Sequence, residues 1–432
     1  MSGNNKLSSP QVYLSGVSYD TAPLSIREGL SIPKGRIQDA LDGLKRYVNS
    51  GIILATCNRT EVYAVGDDKS SPAASIREFF CDWSGFSQEQ LASHLHTAQG
   101  RDAVRHLTET ASGLRSMIVG EWEIQGQVRQ AFHIAEQVGM VDPMLKKLFQ
   151  HAIRVGRRVR DETDISKNAL SVSSVAVNLA VKAVGDVRSC RVVLIGAGQA
   201  GKLVARAFSQ RGVSEIAIIS RSLQSAEELA ASLGGKAVEL SRLRDEMKAA
   251  DIVISCTGAP HVVVDCDIVK NVMHARPSRP LVLVDIAVPR DIDPGVKQID
   301  GVYLYDIDDF TQLSKTHRKA REREIARAMC IIDEEMAVFS EQWHALSAKP
   351  VVDALMQKAE DIRKRQLQLT LKKLPPLSEE ELASIEAMTK SIVYKILHKP
   401  VECLKNNGHD DGAMVEVVKE LFDIEVKASL EK

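Results

Sequence analysis

Two stretches of the chain put reactive residue types where a fold can expose them. In Thr56-Cys57-Asn58-Arg59-Thr60-Glu61 a cysteine follows closely on the apolar run Ile52–Ala55. A thiol at the end of a strand is reachable, and a nearby guanidinium, here Arg59, favours the thiolate, which is the nucleophilic form. A lone cysteine is more often a buried, inert residue, so the residues alone leave both readings open. The second stretch is Gly196-Ala197-Gly198-Gln199-Ala200-Gly201, set between the apolar run Val192–Ile195 and a helical stretch from Lys202. Glycines at those three places permit a tight turn, a close approach of pyrophosphate to the backbone, and close helix–strand contact. The helix N-terminus then attracts the phosphates.

A dinucleotide loop of this kind is read with the end of the next strand, about 20 residues on, where an acid binds the ribose of NAD. Here that place holds Ser220-Arg221-Ser222. A guanidinium between two hydroxyls suits a 2′-phosphate, so the expected cofactor is NADP(H); the bland alternative is a solvated turn. Asp285 and Arg290, at the end of a later strand, are expected to pair with each other.

The elements that must position these groups follow from periodicity. Val12–Val17, Ile52–Thr56 and Glu61–Val65 read as strands, and Ile37–Val48, Ser75–Trp83 and Asp102–Ser112 as helices. Leu145 to Val184 is helical with a break at Asp164–Lys167. Val192–Ile195, Glu215–Ile219, Ile252–Ser255 and Leu281–Asp285 then alternate with helical stretches, the pattern of a parallel, doubly wound sheet, with Tyr303–Tyr305 as its last strand. Beyond Thr311 strands end. Ile325, Met329, Ile332, Met336 and Phe339 line one face of a helix over Ser314–Leu346. Pro350 and Pro375-Pro376 predict breaks, with further helices at about 351–373, 378–398 and 413–425. A helical tail with a narrow apolar stripe packs best against a second copy, which predicts a homodimer.

The 432 residues suffice for two or three domains, and a net charge of −1 argues against a generic binder of polyanions such as DNA. Seven scattered cysteines, with no C-x-x-C pair and no metal-ligand spacing, predict a reducing, cytoplasmic setting and no metal site. No apolar run is long enough to cross a membrane, and the polar first ten residues lack the apolar core of a signal peptide.

Thr56–Glu61 resembles the nucleophile motif of glutamyl-tRNA reductases. The resemblance continues through Thr21-Ala22-Pro23, Arg27-Glu28, Gly113–Glu121, Gly156–Arg160, Ser171–Ser174, the glycine loop and Val284–Arg290, in the family's order. It implies an α/β multidomain protein: an α+β catalytic domain (1–165), a doubly wound Rossmann-type NADP-binding domain (166–312) and an all-α dimerisation domain (313–432) joined by a long helix. It also implies NADPH-dependent reduction of glutamyl-tRNA to glutamate-1-semialdehyde, the first step of five-carbon tetrapyrrole synthesis. Cys57 would be the nucleophile and His106 an essential partner, either moving protons or orienting the substrate loop. Thr56, Asn58, Arg59, Ser116, Glu121, Trp122, Glu123 and Gln127 fall on the family's substrate-binding positions, and Gly196, Ala197, Gly198, Gln199, Ala200, Gly201, Ser220, Arg221 and Ser222 on the cofactor side. Glutamate-1-semialdehyde aminotransferase is a partner the resemblance suggests.

The chain departs from the family at Arg115, usually Asp, at Trp122-Glu123, usually Pro-Gln, and at Tyr19-Asp20, where a histidine is common. Two other readings therefore stay open, a small-metabolite dehydrogenase similar to shikimate dehydrogenases and a non-catalytic NADP-binding scaffold. The basic run Lys146, Lys147, Arg154, Arg157, Arg158 and Arg160 is either a phosphate-contacting face for tRNA or a helix face paired with its own acids.

Overall fold

A computed structural model describes residues 11–66, 72–167, 171–310, 318–319, 321–375, 377–406 and 413–424. The described chain forms two compact units, one of residues 12–65 and 72–332 and another holding the chain from 333 onward. Among the described residues no helix is long and apolar enough to cross a membrane.

In the first unit, β1 (Gln11–Ser18), β2 (Gly51–Ala55), β3 (Arg59–Gly66) and β4 (His96–Gln99) form a sheet of order β2-β3-β1-β4. β2 and β3 are an antiparallel hairpin in register Gly51↔Ala64 to Ala55↔Thr60, and β4 runs antiparallel to β1 with His96 opposite Gly16. Helices surround this sheet: α1 (Leu24–Gly29), α2 (Ile37–Leu44), α3 (Pro72–Ser84), α4 (Gln88–Ala92), α5 (Gly100–Ala111), α6 (Glu123–Gln137) and α7 (Pro143–Glu162). The sequence did not announce β4, because four residues reading His-Thr-Ala-Gln carry no apolar alternation.

After α8 (Val172–Val184), whose N-terminus is capped by Ser171, comes the parallel sheet: β5 (Arg191–Ile195), β6 (Glu215–Ile219), β7 (Lys236–Val238), β8 (Ile252–Ser255), β9 (Leu281–Asp285) and β10 (Val302–Asp306). Its order is β10-β9-β8-β5-β6-β7, with every neighbouring pair parallel. Two mononucleotide-binding halves meeting between β5 and β8 give this order, and ligands gather at the carboxyl ends of the strands there. One face of the sheet packs Val192, Leu194, Ile218, Ile254 and Val284 under α8 and α9 (Gln199–Ser209), while the other packs Val193, Ile195, Val253 and Leu283. Burial on both faces explains why these strands read as unbroken apolar runs.

Helices alone make up the described tail. The expected break at Pro350 is absent: one helix runs from Glu322 to Leu371, through residue 350. The next, Glu379–Asn406, passes through Pro400 rather than ending at 398. A proline removes one backbone hydrogen bond, and flanking side chains hold both helices against that loss: Val351, Val352 and Leu355 bury with Leu397 and Leu404. The expected helix start at Ser314 lies outside the described residues, as do Pro376 and residue 425. Met388, Ile392, Tyr394 and Ile396 are between 49% and 64% exposed.

Candidate active site

The hairpin turn between β2 and β3 carries Cys57. Thr56 closes it twice over, its N–H donating to the Arg59 carbonyl at 2.8 Å and its hydroxyl accepting from the N–H groups of Asn58 and Arg59 at 3.1 and 3.2 Å. Cys57 stands at the tip, half-buried, against the apolar layer that also contains Met117, Ile118, Ala197 of the glycine loop and Ile286 after β9. Burial, reinforced by the Glu121 and Glu123 carboxylates, pushes its thiol up to about 12, while Arg27 opposes the rise. The cation that favours the thiolate is thus Arg27, whose Nη1 donates to the Cys57 carbonyl at 3.4 Å. Arg59, expected in that role, turns inward instead.

Arg59 belongs to a buried cluster built on Glu61, one pleat further along β3. The Glu61 carboxylate is fully buried; its Oε1 accepts from Arg59 Nη1 at 2.6 Å and lies 3.0 Å from His106 Nε2, and its Oε2 accepts from Tyr63 at 2.8 Å. Burial alone would raise this carboxyl, but the Arg59 guanidinium and His106 outweigh it and hold it well below the usual range. Burial lowers the imidazole of His106, against the opposing pull of Glu61. His106 stacks on His96 with ring centroids 5.0 Å apart.

Ser18, Asp20, Thr21, Arg59, His96, His106 and Arg115 line a cavity of about 90 Å³ beside this turn. Among the described residues neither ring nitrogen of His96 has a hydrogen-bond partner, nor does the buried Asn58 Oδ1. Orphaned buried polar atoms in a folded protein call for a ligand or water. Periodicity and motif spacing missed His96, because its strand, His96–Gln99, carries no apolar alternation. Arg115 lines the cavity with its Nε tied to Glu109 at 2.7 Å, and its carbonyl accepts from Arg59 Nη2.

The loop from Ser112 to Trp122 brings the remaining expected residues. Ser116 and Glu121 are buried, Glu123 opens α6, Gln127 lies half-buried one turn on, and Trp122 is 53% exposed. Arg160 fastens this loop, donating to the carbonyls of Trp122 and Glu121 at 3.0 Å each. Arg157 and Arg158 pair with Asp161 and Glu162, and Lys146 with Glu136. The described contacts of Lys146, Arg157 and Arg158 are therefore those of a helix surface paired within the chain.

The glycine loop has the backbone that its motif requires. Gly196 has φ +111°, and a Cβ there would meet the Cys256 carbonyl at 2.9 Å; one at Gly201 would meet the Gly196 carbonyl at 2.1 Å. Nothing lies within 4 Å of a Cβ at Gly198, the cap of α9, so the helix N-terminus faces open space. Ala197 is buried, and Gln199 and Ala200 begin the helix. The Gly196 N–H donates to the Ile219 carbonyl at 2.8 Å, which sets the loop beside Ser220 and the exposed Arg221, while Ser222 caps α10 (Leu223–Ala231). The donors present suit a dinucleotide.

The expected Asp285–Arg290 pair does not form. Arg290 reaches α1 instead, its Nε and Nη2 bonding the two Glu28 oxygens at 2.8 and 2.7 Å. Asp285 accepts from the Ala287 and Ile292 N–H groups of its own loop at 3.0 and 2.8 Å.

Burial pushes the Glu121 carboxyl up from 4.5 to about 7, against the Ser116 hydroxyl and with help from Glu123. A carboxyl raised on folding disfavours the folded state as it ionises, so this penalty is absent below 4.5, grows as pH rises from 4.5 to about 7 and is constant above that. Glu121→Gln is therefore expected to match wild type near about pH 4.5 and to exceed it by about 3 kcal/mol near about pH 8, measured by urea unfolding. A constant difference between the two proteins across that range would contradict the assignment.

Comparison with known proteins reaches nearly the whole chain. Residues 15–163 match the family model "Glutamyl-tRNAGlu reductase, N-terminal domain", 178–313 match "Shikimate / quinate 5-dehydrogenase", and 327–424 match "Glutamyl-tRNAGlu reductase, dimerisation domain". The dehydrogenase likeness thus covers the middle region only, where it implies a nicotinamide cofactor. The glutamyl-tRNA reductase of Carboxydothermus hydrogenoformans is 39% identical over 425 residues, 96% of this chain and 94% of that protein. That of Bacillus subtilis is 37% identical over 417 residues, 96% and 92% of the two chains. The solved structure of glutamyl-tRNA reductase from Methanopyrus kandleri aligns with a TM-score of 0.54 at 31% identity, over 95% of this chain and 98% of that one. With likeness of this degree along nearly its full length, the chain belongs to the glutamyl-tRNA reductase family.

Proposed function

We propose that the protein reduces glutamyl-tRNA to glutamate-1-semialdehyde with NADPH, through a thioester on Cys57. The observation that carries this reading is the position of Cys57, packed against one apolar layer with Ala197 of the glycine loop and beside a cavity lined by Arg59, His96, His106 and Arg115.

In the first step the Cys57 sulfur bonds the aminoacyl carbonyl carbon and the ester C–O bond breaks. The thiol proton, firmly held in the free protein, passes to the leaving ribose oxygen. Transfer in concert with bond formation suits such a thiol better than a standing thiolate. Arg27, bonded to the carbonyl of Cys57, offsets charge on sulfur as it develops. His106, fixed by Glu61, faces the same cavity and is the group to move that proton. Arg59 and Arg115 line the cavity with guanidinium groups, the group type that recognises a side-chain carboxylate. Thr56, Asn58, Ser116, Glu121, Trp122, Glu123 and Gln127 would frame the substrate around the turn.

Gly196–Gly201 and Ser220–Ser222 would hold the nicotinamide nucleotide, which when bound supplies a hydride to the thioester carbon. The resulting hemithioacetal alkoxide on Cys57 then collapses, its C–S bond breaking to release the aldehyde, and the Cys57 sulfur takes one proton from solvent to restore the thiol. The exposed apolar face at Met388, Ile392 and Ile396, in a segment matched by a dimerisation-domain model, supports a homodimer. The absence of a membrane-crossing helix among the described residues agrees with a cytoplasmic setting.

Two experiments test the reading. Quenching the protein with labelled glutamyl-tRNA and no reductant should leave one glutamyl group on the peptide containing Cys57, and none in Cys57→Ser. Label on another residue would remove Cys57 as the nucleophile, and no acyl-protein with no semialdehyde would favour a non-catalytic scaffold. For the cofactor, Arg221→Ser should raise the KM for NADPH by roughly 10- to 100-fold, the worth of a charged hydrogen bond, and leave that for NADH nearly unchanged. An unaltered NADPH-to-NADH preference would remove Arg221 from phosphate recognition.

A further inference from the structure

Glu61, His96 and His106 lie on three elements, β3, β4 and α5, so no local spacing in the sequence joins them. The fold brings one ligating atom from each to within 4.8 Å of the others. His106 Nε2 is 3.0 Å and His96 Nε2 3.6 Å from the same Glu61 oxygen. Metal–ligand bonds of about 2.0–2.1 Å set tetrahedral neighbours about 3.3 Å apart, and these two separations bracket that value. The two imidazoles stack with both Nε2 atoms near the same carboxylate oxygen, and His96 has no hydrogen-bond partner among the described residues for either nitrogen. The adjoining cavity, of about 90 Å³, leaves room for water in the remaining coordination positions.

We propose that Glu61, His96 and His106 form a binding site for a borderline divalent transition-metal ion such as Zn²⁺ or Co²⁺. Two imidazoles and one carboxylate suit these ions and not Mg²⁺ or Ca²⁺, which take oxygen ligands. Arg59 bonds the same Glu61 oxygen, so the ion shares its carboxylate with a guanidinium, and Asp20 on the cavity wall offsets part of that repulsion. Such a site binds with modest affinity and, when filled, holds the lone pair of His106 and takes it out of proton transfer. The proposal rests on geometry and stands whether or not glutamyl-tRNA is the substrate.

The test is titration of the metal-free, full-length protein with Co²⁺, followed by its visible d–d bands, and displacement of Co²⁺ by Zn²⁺. Wild type should take up one Co²⁺ per chain with the bands of a nitrogen and oxygen site. His96→Phe, which keeps a stacked ring without nitrogens, should weaken binding at least about tenfold, whereas His133→Phe at an exposed position should not. No uptake, equal affinity in His96→Phe, or a sulfur-to-cobalt charge-transfer band showing a cysteine site would each overturn the proposal.

Discussion

The site depends on a carboxylate buried inside the first sheet. Glu61 has no exposed surface, and a lone charge there would cost several kcal/mol. Arg59, His106 and Tyr63 surround it and make the charge tolerable. In satisfying Glu61 these residues lose their own freedom. Arg59 is held along β3 and bonded to the Arg115 carbonyl, and the ring of His106 is turned towards the cavity. The turn carrying Cys57 follows directly from this, because Arg59 is both a member of the cluster and the residue that closes the turn.

The same turn is tied to the dinucleotide sheet by α1. Arg27 joins the Cys57 carbonyl to Asp308 just beyond β10, and the next residue, Glu28, grips Arg290 after β9. Charge-assisted pairs side by side on one short helix fix the thiol turn relative to the strand ends where a nicotinamide nucleotide gathers. Desolvation in that position leaves the thiol protonated, so the chemistry asks for a substrate that takes the proton as the bond forms rather than a preformed thiolate.

Much of this was legible in the sequence, for reasons specific to each element. The parallel strands are buried on both faces and read as apolar runs, and the glycine loop is local in sequence, so cofactor fold and cofactor loop could both be read. Cys57 was legible as the end of a strand. The destination of Arg59 was not, because a guanidinium two residues from a thiol and two from a carboxylate gives no sign of which it will face. His96 was hidden in a short polar strand, and Arg290 found Glu28 rather than Asp285 because partners 262 residues apart leave no local trace. The helices continued through position 350 and Pro400 because packing against each other outweighed one lost hydrogen bond in each.

The central claim is that Glu61 and Arg59 sustain one another, and a double-mutant cycle in urea unfolding measures it. Glu61→Gln, which leaves a buried guanidinium without its counter-charge, should cost about 3–5 kcal/mol. Arg59→Met should cost a similar amount, and the double variant less than the sum by about 2 kcal/mol or more. Additive losses, or a Glu61→Gln protein within about 0.5 kcal/mol of wild type, would show that the site is organised by something other than this pair.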